Sequence, residues 1–175
     1  MRRLFASGML YLLCLALPGL SNATTLNELK VEVRVIDFMI PPPRGKTALA
    51  VLYDAQNTAS VEDARVILEG MTSGAGSAKA ELVPSLVDVR RLEAFPGFRV
   101  AVLASGTEAF YNAIFDYAQK YQTLTISSDP SCVSLGKCAV GVTSVPRVDV
   151  VINRAVTASC GVEFSEAFRM MVREY

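Results

Sequence analysis

Short apolar runs along the chain alternate with longer segments in which apolar residues recur every three or four positions. The runs at 47–53, 98–104 and 123–127 are continuous and rich in aliphatic residues, which is typical of strands buried on both faces. A further strand is predicted at 80–87, and Pro84 places it at the edge of a sheet because proline lacks a backbone N–H. The pattern therefore predicts a sheet whose central strands have no face open to solvent.

The end of the chain carries two more apolar runs and then a helical stripe. The runs at 139–143 and 147–152 are joined tightly through Val145-Pro146, which predicts a C-terminal antiparallel hairpin. One or two helices are predicted after the hairpin. Their apolar stripe is Phe164, Phe168 and Met171.

Segments with helical spacing separate the earlier strands. A helix is predicted to begin at Ser60, and a second one is predicted to be capped by the segment 105–108. The apolar face of the first helix is Val61, Ala64, Ile67, Leu68 and Met71. The stripe of the second is interpreted as core rather than as a ligand site, and it consists of Phe110, Ile114, Tyr117 and Tyr121. The segment 26–38 fits helical and strand spacing equally well, so periodicity leaves its structure open.

Strands that alternate with helices predict an α/β fold. We expect a three-layer sandwich with a largely parallel sheet, helices on both faces and the C-terminal hairpin. In such sheets, ligands and partners bind beyond the carboxyl ends of the strands. The segments 54–60, 105–108 and 128–138 are expected at that edge. The candidate binding residues there are Asp54, Ser105, Gly106, Thr107 and Asp129.

Residues 1–23 have the pattern of a cleaved secretory signal peptide. Two arginines precede an apolar stretch at 4–17, and Ser21-Asn22-Ala23 provides small residues for cleavage before Thr24. The apolar stretch is shorter than the ~20 residues that a spanning helix needs, so an uncleaved anchor is the less favoured alternative. The remaining residues, 24–175, are predicted to form a single periplasmic domain.

Charge and motif content narrow the functions of this domain. Loss of the two signal-peptide arginines leaves 15 basic against 17 acidic residues, and no basic stripe is available to bind nucleic acid. No second apolar run is long enough for stable membrane insertion of the mature chain. The sequence contains neither a GxGxxG nor a phosphate-loop lysine motif, and we expect no cofactor. The sequence is compatible with either a monomer or a homodimer.

Cys132 and Cys138 stand six positions apart in a chain without histidine. A structural zinc site takes four cysteine or histidine ligands, and the mature chain adds only Cys160 to this pair, so we expect no metal. Thioredoxin-type catalysts have two residues between their cysteines, whereas this pair has five. An exported compartment and a turn glycine, Gly136, favour a disulfide. We expect this disulfide to organise a loop that faces a partner.

Cys160 is predicted to be a free thiol. Its small neighbours, Ala158, Ser159 and Gly161, favour a buried packing role over an intermolecular bridge or a reactive thiol. Without histidine, the chain cannot form a Ser-His-Asp or Cys-His couple. These residue types therefore favour a protein that is not an enzyme.

The C-terminal half resembles the exported YfiR/HmsC family. The resemblance rests on LTISSD at 124–129, the glycine-bearing loop after it and VDVVIN at 148–153. Gly161 falls nine residues beyond Ile152, and a serine four residues later opens a helical segment, as in the family's closing signature. The matching positions are Ile152, Asn153, Gly161, Val162, Ser165, Phe168 and Arg169. The N-terminal half departs further, because DFMIPPP replaces the tryptophan-proline that is typical after the family's first helix.

The resemblance implies a function and sharpens one structural prediction. Members of this family are periplasmic α/β proteins that restrain a membrane-bound diguanylate cyclase by binding its periplasmic domain, and so limit biofilm formation. Some members carry a disulfide in the loop where Cys132 and Cys138 stand. The family also favours a helix for the segment 26–38.

The sequence supports two main hypotheses about function and a third, less favoured one. The first is a non-catalytic regulator that binds the periplasmic domain of an inner-membrane signalling protein. The alternative is a small-ligand receptor that resembles one lobe of a transport binding protein. A thiol oxidoreductase is the remaining class, and it would require turnover that depends on Cys132 or Cys138.

We predict that the mature protein contains one free thiol. Thiol counting under denaturing conditions measures it, because denaturation exposes buried sulfur without breaking a disulfide. One free thiol per chain is expected, at Cys160. Three free thiols would mean that Cys132 and Cys138 are not bridged.

Overall fold

The computed structural model of the protein describes residues 23–74, 76–95 and 97–175. The predicted signal peptide lies outside the described residues except for Ala23. None of the described helices has the length and apolar character needed to cross a bilayer.

The secondary structure alternates between strands and helices as expected. The helices are α1 (Leu26–Ile36), α2 (Thr58–Ser73), α3 (Tyr111–Tyr121), α4 (Pro130–Ser134), α5 (Arg154–Ser159) and α6 (Glu166–Arg169). The strands are β1 (Met39–Ile40), β2 (Gly45–Tyr53), β3 (Ala80–Asp88), β4 (Val100–Leu103), β5 (Leu124–Ser127), β6 (Val140–Thr143), β7 (Asp149–Ile152), β8 (Glu163–Phe164) and β9 (Arg173–Glu174). Short 3₁₀ helices cover Val89–Ala94 and Glu108–Phe110.

The larger sheet has the order β3-β2-β4-β5-β6-β7-β9. The first five of these strands are parallel, β7 is antiparallel to β6, and β9 is parallel to β7. The predicted α/β sandwich with a largely parallel sheet and a C-terminal antiparallel hairpin is therefore confirmed. Strands β1 and β8 form a separate antiparallel pair.

Two apolar cores lie on opposite faces of this sheet. One core packs α1, α2 and the C-terminal segment, including Phe164 and Phe168, against the sheet. The other packs α3, α4 and the 3₁₀ helix Val89–Ala94 against the opposite face. All four residues of β4 are buried, because alternate side chains enter the two cores. Burial on both faces explains why the central strands appear as continuous apolar runs.

Strand β3 lies at the edge of the sheet, as Pro84 predicts. Pro84 stands opposite Leu49 of β2 in the parallel register. An edge strand tolerates this proline because the missing N–H can face away from the neighbouring strand.

The start of α2 differs from the prediction. The helix is capped by Asn57, whose side chain accepts from the N–H groups of Ala59 and Ser60, so it begins before Ser60. The Ser60 hydroxyl instead accepts from the backbone N–H of Asp54. Two residues of the predicted apolar face are not buried, since Val61 is exposed and Leu68 is half-buried. The buried residues of α2 are Ser60, Asp63, Ala64, Ile67, Gly70 and Met71.

The start of α1 is now defined, and the start of α3 differs from the prediction. The ambiguous segment 26–38 contains α1, which begins with a reciprocal capping box between Thr25 and Glu28. The segment 105–108, in contrast, does not cap α3 directly, because the 3₁₀ turn Glu108–Phe110 intervenes. The helical stripe predicted for α3 is core at its centre, where Ile114 and Tyr117 are buried.

The C-terminal stripe is correct at two of its three positions. Phe164 and Phe168 are buried, and Met171 is exposed. The reason is that α6 ends at Arg169, so the chain no longer follows helical spacing when it reaches Met171. Strand β9 then runs beside β7.

The close packing of α1 on α2 depends on Gly70. A Cβ atom at this position would lie 2.4 Å from Cδ2 of Leu29, which is buried. We predict that Gly70→Val lowers the free energy of unfolding by about 1–3 kcal/mol, because the added methyl groups overpack this contact. Urea unfolding measures the change. Gly76→Val is the matched control, since a Cβ at Gly76 meets nothing within 4 Å. Equal stability of the two variants would contradict this account of the helix contact.

Candidate functional site

The carboxyl edge of the parallel strands is the candidate site in this fold. The chain passes from β2 outward to β3 and returns on the other side of β2 as β4, so the strand order reverses between β2 and β4. Doubly wound α/β proteins bind ligands in the crevice at such a reversal. Here the crevice lies between the loop after Tyr53 and the loop after Leu103.

The chain's own side chains occupy this crevice. The Asn57 amide nitrogen donates to the carbonyl oxygen of Gly106 at 3.4 Å, which joins the two loops. Gly106 has φ +77°, and a Cβ there would lie 2.4 Å from the Asn57 amide nitrogen. Glycine is therefore required both by the left-handed backbone and by the close approach of Asn57.

Asp63 is the central acceptor beneath the crevice. Its buried carboxylate accepts from the backbone N–H of Thr24 at 2.7 Å and from the backbone N–H of Ser105 at 2.7 Å. The Thr24 hydroxyl donates to the same carboxylate at 3.1 Å. One side chain of α2 thus ties the segment before α1 to the loop after β4.

The first turn of α1 extends this network along the edge. The Thr24 and Ser128 hydroxyl oxygens lie 3.0 Å apart, which links α1 to the residue that follows β5. Glu28 accepts from the backbone N–H of Ser144 at 2.9 Å and from its hydroxyl at 3.1 Å. We call Thr24, Thr25 and Glu28 the N-terminal latch, because these residues fasten α1 to α2 and to the carboxyl ends of β5 and β6.

Asp54 forms an ion pair at the other end of the edge. The Arg90 guanidinium donates to its two carboxylate oxygens at 3.0 and 3.2 Å. These hydrogen bonds hold the pKa of Asp54 below its ordinary value, and a further one from the backbone N–H of Gln56 acts in the same direction. The guanidinium also lies 4.8 Å from the centre of the Phe110 ring. Asp54 is thus buried and paired, and it does not project into open solvent.

The side chains of Asp129 and Thr107 form hydrogen bonds within the chain, and only Thr107 of the two is buried. Asp129 accepts from the Tyr111 hydroxyl at 2.6 Å and from the backbone N–H of Ser131 at 2.8 Å. Burial acts to raise the pKa of Asp129, but the hydrogen bonds from Ser131 and Tyr111 outweigh it and leave the pKa lowered. The buried Thr107 hydroxyl donates to the Ala104 carbonyl oxygen.

The disulfide between Cys132 and Cys138 is present in the structure. Both cysteines are buried in the core of the α3 and α4 face, so the bond offers no exposed contact at the edge. Gly136 has φ +69° within the ring, as its turn role requires. Cys160 is free and buried, and burial raises the pKa of its thiol, which fits a packing role.

Three residues that shape the edge were not among the predicted site residues, although Asn57 lies in the predicted edge segment 54–60. Asn57 precedes a helix, and an asparagine at that place is a recognised N-cap signal. Asp63 interrupts an otherwise small and apolar helix face, which is a signal for a buried acceptor. Thr24 shows no signal, since its role depends on contacts with residues 39 and 104 positions away.

The edge also carries exposed apolar side chains. In the turn between β6 and β7, Val145 is 79% exposed and Val148 is 54% exposed. This turn begins at Ser144, whose hydroxyl oxygen lies 3.2 Å from that of Thr25. An apolar tip therefore stands directly beside the N-terminal latch.

Open grooves lie elsewhere on the surface. One groove of about 650 Å³ is lined mainly by α5 and β8, with Arg169 and Glu174 at its wall. Its charged residues are already paired in part, since Glu174 lies within 3.5 Å of Arg154 and 2.6 Å of Arg169. No cluster of three or more potential metal-ligating side chains was found in residues 23–74, 76–95 and 97–175.

Comparisons with known proteins show the fold alone. No protein-family model and no curated protein matches the sequence. A conserved domain protein from Vibrio cholerae O1 biovar eltor str. N16961 is similar in structure, with a TM-score of 0.60 and 12% identity over 83% of this chain and 59% of that one. The ABC domain in complex with L-Trp from Streptococcus pneumoniae gives a TM-score of 0.59 and 11% identity over 84% and 60%. The chain thus spans about three fifths of each of these structures.

We predict that Asp63→Asn loosens the carboxyl edge. The substitution removes the charge that strengthens two short backbone hydrogen bonds, so the free energy of unfolding should fall by about 1.5–3 kcal/mol. Glu62→Gln is the matched control, because Glu62 is the adjacent residue and its carboxylate is exposed on α2. Urea unfolding measures both variants. A loss at Asp63 no greater than at Glu62 would remove Asp63 from its central role.

Proposed function

We propose that this protein is an exported, non-catalytic regulator that binds the periplasmic domain of an inner-membrane signalling protein. The observation that carries the proposal is the filled crevice. Asn57 joins the loops where a small ligand would enter, and Asp63 has its hydrogen bonds satisfied by the chain's own backbone. An edge that is already closed favours recognition through its outer surface over recognition in a cavity.

The exposed turn between β6 and β7 supplies that outer surface. Val145 and Val148 are apolar and project beside a polar, well-ordered edge. Protein interfaces bury such apolar residues at their centre and keep polar groups at the rim. We therefore assign this turn, residues 144–148, as the centre of the partner contact.

The residues that resemble the YfiR/HmsC signature have consistent local roles, which supports placing the chain near that family. The Asn153 side chain caps α5 by accepting from the Val156 N–H, and it donates to the Val133 carbonyl oxygen at 3.0 Å. Gly161 has φ +60°. Ser165 caps α6. On this basis we propose that the partner is a membrane-bound diguanylate cyclase, which would connect the protein to cyclic-di-GMP and biofilm control.

The compartment belongs to the same proposal. A disulfide in the core is typical of proteins from oxidising compartments, and the periplasm is one of them. The buried position of both cysteines argues against a thiol oxidoreductase, since a catalytic thiol must reach its substrate.

A small-ligand receptor is the second candidate. It is favoured by the structural similarity to a domain that is described in complex with L-Trp. This chain spans 60% of that domain, so a two-lobed clamp would need material beyond the matched part. A thermal-shift screen against amino acids and other metabolites tests the candidate, because a ligand that binds only the folded protein raises its stability by RT ln(1 + [L]/Kd).

We predict that a photo-crosslinking residue at position 145 captures a membrane partner in intact cells. The same residue at position 66 is the matched control, since Val66 is also exposed but lies on α2. Mass spectrometry should identify a protein with a periplasmic sensor domain from the first sample alone. With the crosslinking residue kept at position 145, Val148→Glu should abolish the capture, whereas Val66→Glu should not.

The cellular readout separates the regulator from the receptor. Deletion of the gene should raise cyclic-di-GMP, and re-expression of the Val145→Glu variant should fail to restore it. Equal capture at positions 145 and 66, with unchanged nucleotide levels, would rule out the regulator. A large thermal shift with one metabolite would then favour the receptor.

A further inference from the structure

Glu32 is the one described side chain whose buried oxygens have no hydrogen-bond partner. It lies in the middle of α1 and is 0% exposed. A buried polar group normally finds a partner, because leaving it unpaired costs the full desolvation free energy of that group. An unpaired carboxyl at this depth is therefore an exception that needs a reason.

The charged groups that act on Glu32 are acids. Glu28 lies one turn earlier on the same helix, and Asp63 faces α1 from α2. Strand β6, the other element packed closely against α1, contains only Val, Gly and Thr residues and brings no titratable group. The cations of α1, Lys30 and Arg34, are exposed, so they do not neutralise the buried carboxyl.

These surroundings favour the neutral carboxyl. Burial raises the pKa of Glu32 to about 8, and the negative charges of Glu28 and Asp63 raise it in the same direction. Glu28 and Asp63 themselves accept hydrogen bonds from backbone N–H groups, whereas the Glu32 carboxyl has no such partner. When α1 leaves the sheet, Glu32 enters water and regains an ordinary glutamate pKa of about 4.3.

We infer that one proton, bound by Glu32, controls whether α1 is docked on the rest of the fold. With a proton on Glu32, the helix lies against α2 and β6 and the N-terminal latch closes the carboxyl edge. Without that proton, a buried negative charge lies beside two others, and α1 is released into solvent. This inference holds for the protein whatever partner it binds, and so it does not rest on the proposed function.

The direction of the pH effect follows from proton binding. Between the ordinary pKa of about 4.3 and the raised pKa of about 8, the docked helix holds one more proton than the released helix. Each increase of one pH unit in this window therefore shifts the docking equilibrium about tenfold toward release. Below the window both forms are protonated, and above it both are ionised, so the equilibrium is level on either side.

Release of α1 would also open the carboxyl edge of the sheet. Thr24, Thr25 and Glu28 belong to the same segment as Glu32, and they hold Ser128 and Ser144. Release of α1 would free these contacts and uncover the apolar sheet face that Leu29 and Val33 protect. Acid conditions keep the edge closed, and a rise toward neutral and alkaline pH opens it.

Hydrogen exchange of α1 in the whole mature protein tests the inference. Protection factors, corrected for the intrinsic exchange rate at each pH, should fall about 100-fold between pH 5.5 and pH 7.5 for peptides of α1, which follows from a tenfold change per unit. Glu32→Met should be protected equally at both values, because an apolar side chain of similar length binds no proton. Glu62→Met should behave like the parent protein, since Glu62 is exposed.

A second measurement tests the inference without a variant, in case Glu32→Met fails to fold. The side-chain carboxyl carbon of Glu32 can be followed by NMR in the unmodified protein from pH 4 to pH 10. A midpoint several pH units above that of an ordinary glutamate supports proton-controlled docking of α1. A midpoint near 4.3, or α1 protection that is the same in parent and Glu32→Met at both pH values, overturns it.

Discussion

The attachment of α1 across the carboxyl edge is the constraint on which the rest of the structure depends. Asp63 accepts two backbone N–H groups that come from separate parts of the chain, at Thr24 and Ser105. A buried carboxylate is stable only when it is fully hydrogen-bonded, so its position fixes both neighbours. Through them, Asp63 fixes the closure of the crevice, and this closure is what favours a binding surface over a binding cavity.

The same attachment also buries a carboxyl group that opposes the docking of α1. Close packing of α1 on α2 places Glu32 beside Glu28 and Asp63, where a third charge cannot be solvated. The apolar contacts of α1 and the hydrogen bonds of its first turn stabilise docking, whereas the buried carboxyl opposes it. Release of α1 from the remaining fold is thus coupled to one proton. A balance of this kind is the ordinary basis of conformational switches.

The opposite face of the sheet is built differently. There, the crossover between β5 and β6 is the five-residue helix α4, which is too short to be stable by itself. The buried disulfide and the donation from Asn153 to the Val133 carbonyl oxygen hold α4 on the sheet. The disulfide therefore substitutes for the apolar contacts that a longer crossover helix would make. Its predicted pairing is confirmed, and its position in the core explains why it is not a surface feature.

The sequence by itself determined the layers, the central strands, the edge position of β3 and the Cys132–Cys138 pair. These features follow from local periodicity, from a missing N–H and from the spacing and turn glycine of the two cysteines. Only the tertiary structure decided the start of α2, the exposure of Met171 and the internal hydrogen bonds of Asp54, Asp129 and Thr107. The physical reason is that these outcomes depend on hydrogen bonds and packing between residues far apart in the chain, which no local pattern contains.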